Sequence, residues 1–169
     1  ELYYTHFGLR CADVLDVDAD EFWSHAASYL DGRGQQCEDV VDCYCAAFCR
    51  RLLKKRGYPH GAGDGEALAA MCRNTLRGMD GSSGSVYRAF LACATLDMLG
   101  AEQLGSDVVR FVTSRRTRDG GFADAREARS GSLNPTAAGV LVLAMCGRPD
   151  AAEGAADFLA GLQRDDGGV

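Results

Sequence analysis

Only three prolines and one tryptophan occur in 169 residues, the eight cysteines include no CxxC pair, and positive charge is in deficit, with a formal net charge of −6. Each shortage excludes something. Without CxxC spacing the cysteines do not read as a zinc knuckle or a thioredoxin-type redox pair. An acidic balance argues against a general nucleic-acid groove, and Arg50-Arg51-Leu52-Leu53-Lys54-Lys55-Arg56 is read as the solvated end of a helix, where cations suit the C-terminus. The longest uninterrupted apolar stretch, Ala137 to Cys146 with Gly139 inside it, is too short to span a bilayer. Cys43, Cys45 and Cys49 fall within one predicted helix and Cys11, Cys72, Cys93 and Cys146 on apolar helical positions, so reduced, buried thiols and a cytoplasmic setting are the expectation, with no secretory leader pattern against it.

What the chain does have is apolar helical pattern and glycine. With 47% hydrophobic and 25% charged residues it has the material for a core, and one domain over residues 1–169 is the economical organisation. Asp119-Gly120-Gly121-Phe122 returns as Asp166-Gly167-Gly168-Val169, with Gly120 and Gly167 47 residues apart, a period typical of helical-pair arrays. The most apolar segments, Tyr3 to Val17, Val40 to Leu53, Val86 to Leu99 and Thr136 to Cys146, begin 37, 46 and 50 residues apart. Between them lie two-faced segments, Phe22 to Leu30, Glu66 to Arg77 and Asp107 to Arg115, and a fourth, Ala151 to Leu162, follows the last. The spacing predicts an all-α chain of about four helical hairpins in two layers, apolar helices alternating with half-exposed ones.

Local signals refine this. In the first segment Tyr3, Phe7, Cys11, Val14 and Leu15 make the apolar stripe. Asp18 with Glu21, and Asp150 with Glu153, read as capping boxes, while Asn134-Pro135 reads as N-cap and first turn. Gly57, Gly100 and Gly147 end helices, Gly32 to Gln36 is a turn, and Gly78 to Gly84 and Ala123 to Ser132 are the connecting loops. The carboxylates from Asp16 to Glu21 fail as a calcium loop, because Glu21 stands where the sixth-position glycine belongs and Ala27 where the last carboxylate does.

Leu162-Gln163-Arg164-Asp165-Asp166-Gly167-Gly168, Asp119-Gly120-Gly121-Phe122 followed by Asn134-Pro135-Thr136-Ala137-Ala138, and Leu2-Tyr3-Tyr4-Thr5-His6-Phe7-Gly8-Leu9 together resemble the prenyltransferase and squalene-cyclase repeat family. The resemblance implies an α-α toroid, here an incomplete arc, around an apolar cavity. Phe122 and Val169 stand where cyclases prefer Trp, and Arg116 where they have Gln, so the chain looks closer to protein prenyltransferase β subunits. In those, an Asp-x-Cys-Tyr segment and a distant His bind zinc, and the Tyr meets a diphosphate. Cys43 and Tyr44 match that segment, Val41 occupies the Asp position with Asp42 beside it, and His6 is the available imidazole, so Asp42, Cys43 and His6 are the candidate zinc ligands.

By the same resemblance a prenyl diphosphate would lie in a central cleft bounded by Tyr3, Tyr4, His6, Cys43, Tyr44, Tyr87 and Arg88, with transferase chemistry left open. Two rivals stand beside it. A terpene cyclase would need an acid motif like the stretch from Asp16, in which Ala19 replaces the last Asp, and a non-enzymatic scaffold would use the helical surface to bind protein. Open repeat ends imply self-association or a partner subunit.

Overall fold

Every long apolar segment of the sequence is a helix in the computed structural model, which describes residues 1–31, 37–58, 65–79, 84–102 and 105–168. The α-helices are α1 (Leu2–Val14), α2 (Asp20–Asp31), α3 (Val40–Lys55), α4 (Gly65–Arg77), α5 (Val86–Met98), α6 (Gly105–Thr113), α7 (Leu133–Met145) and α8 (Ala155–Leu162), with a 3-10 turn at Pro149–Ala152. Among the described residues there is no strand, only an isolated antiparallel bridge between Arg116 and Phe122. The turn expected at Gly32 to Gln36, the stop at Pro59-His60-Gly61, residues 80–83 of the Gly78 to Gly84 connection, and Val169 lie outside the described residues.

The odd-numbered helices end in one way. After α3, α5 and α7 the residues Gly57, Gly100 and Gly147 take φ of 87°, 64° and 69°. The amides that follow them, of Tyr58, Ala101 and Arg148, donate to Leu53, Leu96 and Leu143 carbonyls at 2.9, 2.9 and 2.8 Å. This closure satisfies carbonyls that the helix end leaves over. Asp16, at φ 49°, makes the same closure after α1, with Val17 N donating to Ala12 O at 2.9 Å. An L-residue in that region is strained, which is why the sequence shows three of these stops and hides the fourth.

The first compact unit is Glu1–Cys72 with Thr95–Glu102, the second Arg73–Ala94 with Gln103–Val169. In the first, α3 packs against α1 and α2. Asp39 caps α3, its carboxylate accepting from Val41 N and Asp42 N at 2.8 and 3.1 Å. Buried Val40, Cys43, Ala46, Ala47, Cys49, Leu52 and Leu53 follow on that helix, so most of its circumference is covered. The capping box expected at Asp18 does not form. The first turn of α2 closes instead on Ala19 O, which accepts from Trp23 N, and Asp20 takes the Tyr58 hydroxyl. Trp23 is buried and its indole N–H donates to Val17 O at 2.9 Å. Arg56 stacks over that indole at 5.2 Å and pairs with Asp13 and Asp16 at 2.7 and 3.0 Å, binding the ends of α1 and α3 together.

In the second unit α7 packs against α6, α8 and the 3-10 turn. The repeated Gly-Gly turn is identical in its bonding. Thr117 N donates to Gly121 O and Gly120 N to Thr117 O, as Arg164 N donates to Gly168 O and Gly167 N to Arg164 O. Gly120 and Gly167 both have φ above 80°. From the first turn the chain runs into Phe122, fully buried, whose N–H donates to Thr136 Oγ1 at 2.9 Å. Asp119 then accepts Gly131 N at 3.0 Å, Ser132 N donates to Phe122 O at 3.0 Å, and a Cβ on Gly131 would stand 2.7 Å from Gly121 Cα. The segment 122–130 is therefore a bight clamped at its neck.

Two further boundaries differ from the sequence reading. Helix α7 starts at Leu133 with Ser132 as N-cap, ahead of the expected Asn134. Pro135 still falls among the first residues whose N–H has no helical partner, so either start accommodates it. The second capping box is also absent. Asp150 pairs with Arg148 at 2.9 Å, and α8 begins only after Gly154 at φ 82°.

Candidate functional site

Helix α1 is apolar on two opposite stripes, and the inner one is the less conspicuous. Leu2, His6, Leu9 and Ala12 are buried, while Tyr3, Tyr4, Phe7, Val14 and Leu15 are 47, 70, 45, 83 and 76% exposed. The aromatic stripe expected to face the core thus faces outward. The reason is fit, because small and medium side chains let α1 approach α3 closely, and a helix apolar all round gives no period from which to choose a face.

Rings connect the two stripes. Tyr3 packs edge-on to Tyr4 and Phe7 at 5.5 and 5.0 Å. His6, 4% exposed, lies edge-on to Phe7, Tyr44 and Phe48 at 4.9, 5.6 and 4.6 Å. Neither of its ring nitrogens has a hydrogen-bond partner among the described residues. Burial, aided by the charge of Arg10, lowers its pKa, so the imidazole is held neutral. Arg10 stacks over Phe48 at 5.5 Å and, with Phe7, Cys11, Val14 and Leu15, borders a shallow apolar hollow of about 360 Å³. A second open groove, about 410 Å³, runs between α1 and α2 past Thr5, Gly8, Leu9, Phe22, His25 and Tyr29.

Of the residues expected at a cleft, the structure brings together Tyr3, Tyr4, His6 and Tyr44. Cys43 is fully buried and turns to other neighbours, its Sγ 3.2 Å from Met71 Sδ. Tyr87 and Arg88 belong to the second unit. There Tyr87 is 46% exposed with its ring 6.2 Å from Phe90, and Arg88 N donates to Ser85 Oγ at 3.3 Å in the first turn of α5. Sequence reasoning left Phe7, Arg10 and Phe48 out of the site. Their spacing could have supplied two of them, since Phe7 and Arg10 flank His6 by one and four positions.

The surroundings of the candidate zinc ligands are separate. Asp42 Oδ2 accepts from Glu38 N at 3.2 Å, Cys43 lies against Met71, and His6 is walled by rings. Among the described residues no three His, Cys, Asp or Glu side chains are grouped to hold a metal ion. These residues as placed do not fit a zinc centre. No helix among the described residues is long and apolar enough to cross a membrane. No protein-family profile, no curated protein and no solved structure matches the chain.

Proposed function

We propose that the chain is an isoprenoid-handling protein of the prenyltransferase-like α-α toroid class, and that the isoprenoid lies on the aromatic face of α1. The observation that carries the reading is that face, on which Tyr3, Tyr4, Phe7, Val14 and Leu15 stand exposed in one stripe backed by Tyr44 and Phe48. The repeated Gly-Gly turn and the shared helix closures support the repeat class. A branched hydrocarbon chain suits such a surface because each buried methylene contributes about 0.8 kcal/mol. Arg10, at the edge of the hollow, supplies a cation for a diphosphate. Among the described residues no ligand set for transfer chemistry is assembled, so the reading is of binding.

Calorimetric titration with farnesyl and geranylgeranyl diphosphate tests this. Binding is expected with or without zinc. Phe7→Ala should weaken it about tenfold through lost apolar contact, and Arg10→Gln should weaken the diphosphate more than the corresponding alcohol. Absence of binding, or equal affinity for Phe7→Ala, removes the proposal. The scaffold reading draws on the same stripe, since Tyr3, Phe7 and Val14 at helical spacing also suit a partner helix. Concentration-dependent sedimentation abolished by Tyr3→Ser with Phe7→Ser, without prenyl binding, would favour it.

A further inference from the structure

Part of the basic run at the end of α3 shares a face with that helix's aromatic residues. Tyr44, Phe48, Arg51 and Lys55 follow one another at spacings of four, three and four, so they form a single helical stripe. That stripe lies along α1. Tyr44 and Phe48 pack on His6 at 5.6 and 4.6 Å, Arg10 stacks over Phe48 at 5.5 Å, and Lys55 Nζ is 3.4 Å from Asp13 Oδ2. The two helices therefore run side by side in the same direction. Arg10, Arg51 and Lys55, all exposed, make a row of cations beside the exposed apolar row of Phe7, Cys11, Val14 and Leu15. At the far end Asp13 and Asp16 are held by Arg56 at 2.7 and 3.0 Å. Those two acids offset Arg56 and Lys55, which leaves Arg10 and Arg51 as a local positive surplus on a chain of net charge −6.

We propose that this face docks on the surface of an anionic lipid bilayer, the apolar row entering the headgroup boundary and the cation row meeting the lipid headgroups. An apolar helix face bordered by Lys and Arg is the arrangement that lies in the plane of a membrane. Long cationic side chains keep their charge among the headgroups while their stems cover apolar surface. Tyr3 and Tyr4, exposed at the head of the apolar row, add rings that are apolar in the body and polar at the tip, which suits the same depth. A partner helix would need a groove to enter, whereas the hollow here is shallow and bordered only by Phe7, Arg10, Cys11, Val14 and Leu15, the outside of α1 and its C-cap. The inference uses the α1 face of the isoprenoid reading without resting on it, because a bilayer free of isoprenoid meets the same two rows.

The experiment is cosedimentation of the full chain with phosphatidylcholine vesicles made with and without phosphatidylserine. Binding is expected to the anionic vesicles and should fall as salt is raised. Arg51→Gln with Lys55→Gln should weaken it about thirtyfold, the effect of two cations at a charged surface. Val14→Ser with Leu15→Ser, both at exposed positions, should keep the helicity and abolish sedimentation. On the vesicles a water-soluble maleimide should label Cys11 more slowly, while Cys146, in the second unit, keeps its rate. Equal binding to neutral vesicles, full binding by the Val14→Ser, Leu15→Ser chain, or an unprotected Cys11 would each overturn the proposal. A dimer that forms without lipid and ignores vesicles would also overturn it and give the face to a second copy. Calorimetric binding of farnesyl diphosphate with no vesicle binding removes this inference and leaves the isoprenoid reading standing, and the opposite pair of results does the reverse.

Discussion

Gly139 of α7 lies under the ring of Phe122, so that a Cβ on Gly139 would stand 3.1 Å from two of its carbons. Phe122 has nowhere to retreat, being fully buried and tied through its N–H to Thr136. Gly139→Ala should therefore forfeit the usual helix-interior gain of about 0.5–1 kcal/mol, and Gly139→Leu should destabilise by about 1–3 kcal/mol through overpacking. Gly8 of α1 is the control, since nothing lies within 4 Å of its built Cβ, and Gly8→Ala should gain about 0.5–1 kcal/mol. Urea midpoints at constant slope measure all three.

His6 makes stability depend on pH in a stated direction. Its pKa in the folded chain is lowered from 6.5, so between 6.5 and that lower value the unfolded chain binds more protons than the folded one. Its favourable contribution is complete above pH 6.5 and declines as pH falls through that window. His6→Phe should flatten this part of the stability profile. An unchanged slope between pH 7 and 5 would show that the imidazole is not held neutral.

Asp13 acts lower on the scale. The hydrogen bond from Arg56 holds its carboxyl below the ordinary 3.8, so the stability it provides is present above pH 3.8 and lost as pH falls through the lower, folded value. Trp23, stacked under the same guanidinium, reports the loss. Arg56→Met should move the acid transition followed by Trp23 fluorescence to higher pH.

Thiol reactivity should follow burial. Cys11 is exposed, Cys37 and Cys146 are half-buried, and Cys43, Cys45, Cys49, Cys72 and Cys93 are buried. Burial also pushes the Cys45 and Cys49 thiols up to about 11 and about 12. Timed alkylation of the native protein should label Cys11 first and Cys45 and Cys49 only on unfolding.

The helices and the turn repeated after 47 residues were legible because glycine and apolar period leave local marks. What was illegible depended on choices between equivalent local options. The sequence offers Asp18 and Glu21 as a capping box, but the first turn of α2 closes on Ala19 O and Asp20 takes the Tyr58 hydroxyl, a tertiary bond that no local pattern announces. The facing of α1 was undecidable from a helix apolar on both sides, and with it went Phe7 and Arg10. Asp150 formed a local pair with Arg148 where a capping box was equally consistent with the sequence. The contact of Cys43 Sγ with Met71 Sδ joins α3 to α4, a meeting that no single helical period encodes.

The clamped neck of segment 122–130 separates covalent continuity from folded integrity. Arg126 and Arg129 lie exposed on the bight, while Phe122, Gly131 and Thr136 below them are held by hydrogen bonds on both sides. Trypsin should nick the chain there, and the two fragments should elute together with helicity intact, because the bonds that order this region do not run through the cut peptide. The same site would accept an inserted sequence without disturbing the packing of Phe122 on Gly139.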